Sequence, residues 1–250
     1  MVMLAKESQM LWKQICKIHL IGEYAVFRPT LLERIAHKVD EKTIPLFADF
    51  KRAKLNNTDF TIISNNCWGG VCYNHFGIKK LSPTVGCFIM ADDYLKFIAN
   101  LDYYLEQELK IISVEEARHY FLWKADSGMK NVPIGVLDDV EIAFLHYKNS
   151  EVAKNTWNRR VQRVNRSNLI FKFSYMNQCT KEDLDAFIKM QLPGKKICFV
   201  KDAETAKKDK CLVYYKGFEN DDQISNDTYY WDRYFDVVKF INQGIVEQRV

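Results

Sequence analysis

Apolar runs and polar breaks alternate along the chain, and the sharpest break falls in Phe60–Gly70, which reads Phe-Thr-Ile-Ile-Ser-Asn-Asn-Cys-Trp-Gly-Gly. A β-forming run, Phe60–Ser64, stops at small polar side chains. That pattern predicts a buried strand that empties into a backbone-lined loop, Asn65–Gly70, with a short helix over Val71–Gly77. Ser82 precedes a proline and is held extended, so Val85–Met90 reads as a second strand. Tyr94, Ile98, Leu101 and Leu105 form one stripe and predict a helix over Ala91–Lys110, with Asp92 and Asp93 suited to its first turn.

Val132–Gly135 reads as extended, and Asp126–Gly128 as a turn. Glu141–Tyr147 and Asn168–Tyr175 read as a third and a fourth strand. Between them a helix runs to about Asn165, capped by Asn149 or Ser150. Thr180 with Asp183 predicts a capping box that opens a helix through Met190. Lys196–Val200 and Cys211–Tyr215 read as strands separated by a charged, solvated stretch. Asn220–Thr228 reads as an acidic loop. Tyr230, Tyr234, Val237 and Ile241 mark a last helix that Gly244 stops. Strands alternating with helices predict an α/β layered fold whose mixed, largely parallel sheet is flanked by helices. An N-terminal helical segment over residues 1–50 precedes an α/β domain over 51–250, with a subdomain boundary near 130 as an alternative.

Three predicted strands end in polar clusters: Ser64-Asn65-Asn66, His146 through Ser150, and Ser174 through Gln178. In an open parallel sheet the carboxyl ends of strands share one edge, and ligands bind in the crevice there. Parallel strands would therefore bring these clusters together.

The 250 residues carry a net charge of +4. Glu151–Arg166 alone holds Lys154, Arg159, Arg160, Arg163 and Arg166 against Glu151, so the remainder sums to zero. One basic segment points to an anionic ligand rather than to nucleic acid, which needs a broader basic face. Seven cysteines, several inside apolar runs, fit reduced thiols in a cytoplasmic protein. No signal-peptide pattern and no bilayer-length apolar stretch is present in the sequence. Peripheral contact with the inner face of a membrane stays open.

Candidate chemistry gathers at the strand ends. Ser64, Asn65 and Asn66 offer hydrogen bonds to sugar hydroxyls, Trp68 a stacking face, and Gly69 and Gly70 a close approach to the main chain; a tight turn with a core tryptophan is the alternative. Cys67 is a candidate nucleophile with His75 or His146 as base, against the plain reading of a small apolar residue. His146, beside Tyr147, is a candidate general base, or a histidine bound to a loop carbonyl. Arg160 falls on the apolar face of its helix beside Trp157, which calls for a partner: a core carboxylate such as Asp139 or Glu141, or an anionic ligand. Ser82 and Thr84 supply hydroxyls for a phosphate or sugar, or a structural turn. Tyr175 ends the fourth strand. Cys67, Cys72, His75 and Cys87 lack zinc-ligand spacing, so no metal is predicted.

Phe60–Gly70, Ser82–Gly86, the Asp92–Leu105 helix, Pro133-Ile-Gly and Glu141–Asn168, with His146-Tyr147, Trp157 and Arg159-Arg160, resemble a bacterial family labelled as exopolysaccharide or capsule biosynthesis proteins. The resemblance spans residues 55–215. It implies an α/β fold with a mixed sheet, a glycan substrate and a transferase, and it brings no catalytic residue with it. The expectation is a transferase that moves a glycosyl or acyl group onto a saccharide, with an activated sugar or acyl donor as partner. A non-catalytic glycan-binding or assembly protein is the alternative.

Overall fold

The computed structural model describes Lys38, residues 47–120, Met129, residues 131–225 and residues 227–249. The predicted N-terminal helical segment before residue 47, Lys38 apart, and the turn at Asp126–Gly128 lie outside the described residues.

The centre is a four-stranded parallel sheet of order β1-β5-β6-β7, made of β1 (Thr61–Ser64), β5 (Leu169–Ser174), β6 (Gly194–Val200) and β7 (Leu212–Tyr214). Thr61 pairs with Leu169 and Ser64 with Lys172. A second, antiparallel sheet of order β2-β3-β4 holds β2 (Lys110–Ile112), β3 (Ile134–Leu137) and β4 (Val140–Ala143). β3 and β4 form a hairpin across Asp138-Asp139, and Asp138 takes the left-handed conformation (φ 54°) that such two-residue turns demand.

Both faces of the parallel sheet are covered, so its strands are apolar on both sides. Ile63, Phe171, Phe173, Cys198 and Val200 point into one core layer. There they meet α2 (Ala91–Ala99), α4 (Ser150–Val161) and α5 (Lys181–Lys189) through Tyr94, Trp157 and Phe187. Ile62, Ile170, Ile197, Phe199 and Val213 point into the other. They meet α1 (Trp68–His75) and α7 (Val237–Gln243) through Trp68, Tyr73 and Phe240.

Local signals place several elements where the sequence predicts them. The Asn149 side chain accepts from Val152 N at 2.9 Å and starts α4. The Thr180–Asp183 capping box forms and starts α5. Gly244, at φ 73°, ends α7.

Four expectations are corrected. Val85–Met90 is not a strand: Gly86 is left-handed (φ 81°), Cys87 N turns back to Thr84 O, and only Phe88 bridges to Ala143. The helix over 91–110 breaks at Asn100 (φ −130°, ψ 48°) into α2 and α3 (Leu101–Glu106), which keep the buried stripe. The strand expected over Glu141–Tyr147 stops at Ala143 and belongs to the antiparallel sheet, because Phe144 N turns to Pro133 O. The last helix starts at Val237, where Asp236 caps Lys239 N at 2.8 Å; Tyr230 lies in turns before it. Within Lys201–Lys210, α6 (Ala203–Ala206) forms one turn capped by Asp202.

Burial makes the fold sensitive to alkali. It raises the thiols of Cys72, Cys87 and Cys198 above their ordinary 9.0, and the phenols of Tyr94 and Tyr215 above 10.0. The folded chain therefore keeps protons that the unfolded chain releases, and their contribution to stability, full below pH 9.0, is lost as pH rises. Lys172, Lys80 and Lys195, which burial lowers, act in the opposite sense below 10.5 but are fewer than the raised thiols and phenols. The melting temperature is expected to fall progressively above pH 9.0; a flat profile would contradict this.

Candidate functional site

The carboxyl ends of β1 and β5, side by side and parallel, deliver Ser64–Cys67 and Ser174–Gln178 to one edge. Asn65 ties them: its Oδ1 accepts from Ser174 N at 3.2 Å and its Nδ2 donates to Ser174 O at 3.4 Å. Asn177, left-handed at φ 61°, donates from Nδ2 to Asn65 O (3.1 Å) and Ile89 O (2.8 Å). His146 arrives from the other sheet by the turn after β4. His146 N donates to Gly86 O at 3.2 Å, which sets the imidazole over the loop.

There Nε2 of His146 lies 3.2 Å from Sγ of Cys67. Cys67 is half-buried at the start of α1, and His146 is exposed. Burial, with the Asp227 carboxylate adding to it and the Lys172 ammonium opposing it, pushes the thiol up to about 11. The resting group is thus a thiol with an imidazole nitrogen within reach and the Cys87 carbonyl 4.0 Å away, an arrangement in which a nucleophile can ionise as the base takes its proton. His75, the other candidate base, sits at the far end of α1 in contact with Lys51.

Beneath this pair lies a cluster that the sequence reading missed. Lys172 and Asp227, both buried, form an ion pair at 2.5 Å. Nζ of Lys172 also donates to Asn66 Oδ1 (2.8 Å) and Ser174 Oγ (2.6 Å). Oδ2 of Asp227 accepts from Ser174 Oγ (2.6 Å) and Asn66 Nδ2 (2.8 Å). Burial pulls the Lys172 ammonium down, and Asp227 opposes that shift. The signal in the sequence was one lysine inside Leu-Ile-Phe-Lys-Phe-Ser, a run buried at every position.

The remaining candidates are placed as follows. Ser64 is buried and donates to Asn66 Oδ1 at 3.1 Å. Trp68 has no exposed surface: its Nε1 donates to Trp231 O at 2.9 Å and its ring packs on Phe199 and Phe235, so it is core and not a stacking face for a ligand. Gly69 and Gly70 admit protein rather than ligand, since a Cβ there would lie 3.1 Å from Ile62 Cγ2 and 3.2 Å from Val85 Cγ1. Ser82 and Thr84 are buried and spend their hydroxyls on each other (3.0 Å) and on Ser64 N (3.2 Å), the structural turn. Tyr147 donates to Val85 O at 2.6 Å. Arg160 donates to the Tyr147 oxygen (2.6 Å) and to Val85 O (3.0 Å). Its hydrogen-bond partners are therefore a phenol and a carbonyl, not the expected Asp139 or Glu141. Asp139 pairs with Lys96, and Glu141 accepts from the backbone of Arg118 and His119. Tyr175, half-buried, binds Phe199 O and Ile224 N through its backbone, and its ring lies under Lys201.

Ligating atoms of Asp92, Asp93 and His119 lie within 4.8 Å of one another. Asp93 is already engaged by the Arg118 guanidinium, by His119 and by Glu141 N, so its charge is met by groups of the protein itself.

Gly86→Ala is expected to disturb the site. The position is left-handed, and a Cβ would come within 3.2 Å of Tyr147 Cε2 and 3.4 Å of His146 Cβ. The expected loss is about 1–2 kcal/mol, read by chemical denaturation; an unchanged midpoint would contradict it.

A family model described as "Domain of unknown function (DUF1919)" matches residues 38–242. An "Uncharacterized protein" of Haemophilus influenzae is 31% identical over 200 residues, which covers 76% of this chain and 88% of the relative. Among the described residues no helix is long and apolar enough to cross a membrane.

Proposed function

From the premise that the chain belongs to the DUF1919 family, we propose that it is a transferase of bacterial surface-polysaccharide assembly that moves an acyl group onto a saccharide. The observation that carries the reading is the 3.2 Å approach of Cys67 Sγ to His146 Nε2 at the edge where β1 and β5 end. The saccharide rests on the resemblance of the strand-end motifs to exopolysaccharide and capsule biosynthesis proteins. The working location is the cytoplasm, at the inner face of the membrane.

His146 takes the thiol proton as Cys67 Sγ attacks the carbonyl of a thioester donor. The donor's thiolate leaves with that proton, and the acyl group stays on Cys67. His146 then takes the proton of a sugar hydroxyl, whose oxygen attacks the acyl carbonyl and frees the thiol. Glycosyl transfer fits less well, because the carboxylate near Cys67, Asp227, is buried and bonded to Lys172, Ser174 and Asn66.

The second reading is a non-catalytic glycan binder, which needs no ionised Cys67 and so is compatible with its raised thiol. Thermal shifts with acyl-coenzyme A donors, nucleotide sugars and free oligosaccharides separate the two, since stabilisation grows with ligand concentration over Kd. The transferase is expected to respond to an acyl donor. A response to oligosaccharide alone would favour the binder.

A further inference from the structure

We propose that Lys172 and Asn66 join in an intramolecular amide bond, formed by the folded chain itself with Asp227 as the proton carrier. The three side chains are set out for that condensation. Asn66 leaves β1 two residues beyond Ser64, which pairs with Lys172 on β5, so the register brings amine and carboxamide together. Nζ lies 2.8 Å from Asn66 Oδ1, and Asp227 Oδ2 touches both the attacking and the leaving nitrogen, at 2.5 Å and 2.8 Å. Asn66 Oδ1 also accepts from Ser64 Oγ (3.1 Å) and Trp68 N (3.2 Å). Those donors polarise the carbonyl and hold the negative charge that develops on its oxygen.

The surroundings favour a neutral amine. Lys172, Asn66, Ser174 and Asp227 are all buried, and Nζ sits 4.6 Å from the centre of the Phe199 ring. A low-dielectric site disfavours separated charges, and burial is the largest influence lowering Lys172. Exclusion of water also protects the product from hydrolysis.

The step balances within these groups. Lys172 Nζ passes a proton to Asp227 Oδ2, and its lone pair attacks Asn66 Cγ while the carbonyl electrons move onto Oδ1. Asp227 gives its proton to Asn66 Nδ2 and takes one from the attacking nitrogen. The Cγ–Nδ2 bond breaks, ammonia leaves, and Nζ–Cγ remains as a secondary amide. No oxidant, donor or metal is consumed. Cys67 takes no part, so this inference stands or falls apart from the transferase reading.

The test is the intact mass of the purified full chain, with fragmentation of its digest. The expected result is a chain lighter than its sequence by one ammonia, with Asn66 and Lys172 recovered in one branched peptide and trypsin blocked at Lys172. Asp227→Ala and Lys172→Arg are expected to restore the full mass. A wild-type chain of full mass, cut by trypsin after Lys172, would overturn the proposal without any variant. So would an ammonia loss whose peptides remain separate, which would mark a cyclised asparagine instead.

Discussion

Asp227→Ala is expected to cost roughly 3–5 kcal/mol of folding stability in a chain whose Lys172 is still a free amine, the scale of breaking a buried ion pair from one side. The size follows from what is stranded. Lys172 has no exposed surface, and its carboxylate partner lies 2.5 Å away. Asn66 Nδ2 and Ser174 Oγ lose the same acceptor. Urea unfolding should show a lower midpoint, and the variant leaves Lys172 a free amine. The paired change Lys172→Met with Asp227→Leu is expected to lose less than Asp227→Ala, because no charge is left alone in the core. A single variant as stable as the parent would mean that water reaches Lys172.

The second large effect concerns the proposed reaction. Cys67→Ala should abolish transfer, and His146→Ala should slow it about 10²–10⁴-fold, the usual contribution of a positioned base. Both variants are expected to fold, since His146 is exposed and Cys67 only half-buried. Steady-state rates with the donor that gives the thermal shift would read the effect. Normal turnover by either variant would remove that residue from the mechanism.

Where a feature is local in sequence, the sequence shows it. The β1-to-loop break, the Asn149 cap, the Thr180–Asp183 box and the Gly244 stop each involve residues within a few positions of one another, and each forms. The parallel, layered character followed from the alternation of apolar runs with helical stripes. Features set by distant partners were hidden. Val85–Met90 looks like a strand, but its hydrogen bonds go to Asn65 and Ala143 in different directions. Trp68 beside two glycines looks like an open platform, yet Trp231 and Phe235 close over it. Arg160 needed a partner, and no pattern singles out a tyrosine hydroxyl and a main-chain carbonyl. Lys172 was missed: only its polarity inside an apolar run marked it, and its partner Asp227 comes 55 positions later in a loop.

Cys67 and His146 are 79 positions apart and reach each other from separate sheets. That meeting is what the account rests on, and trapping the acylated enzyme tests it most directly. Protein mixed briefly with an acyl-coenzyme A donor and quenched in acid should carry one acyl group on the peptide containing Cys67. The adduct should be labile to hydroxylamine, absent from Cys67→Ala and strongly reduced in His146→Ala. Transfer to a saccharide with no adduct on Cys67, or at the parent rate in Cys67→Ala, would contradict it.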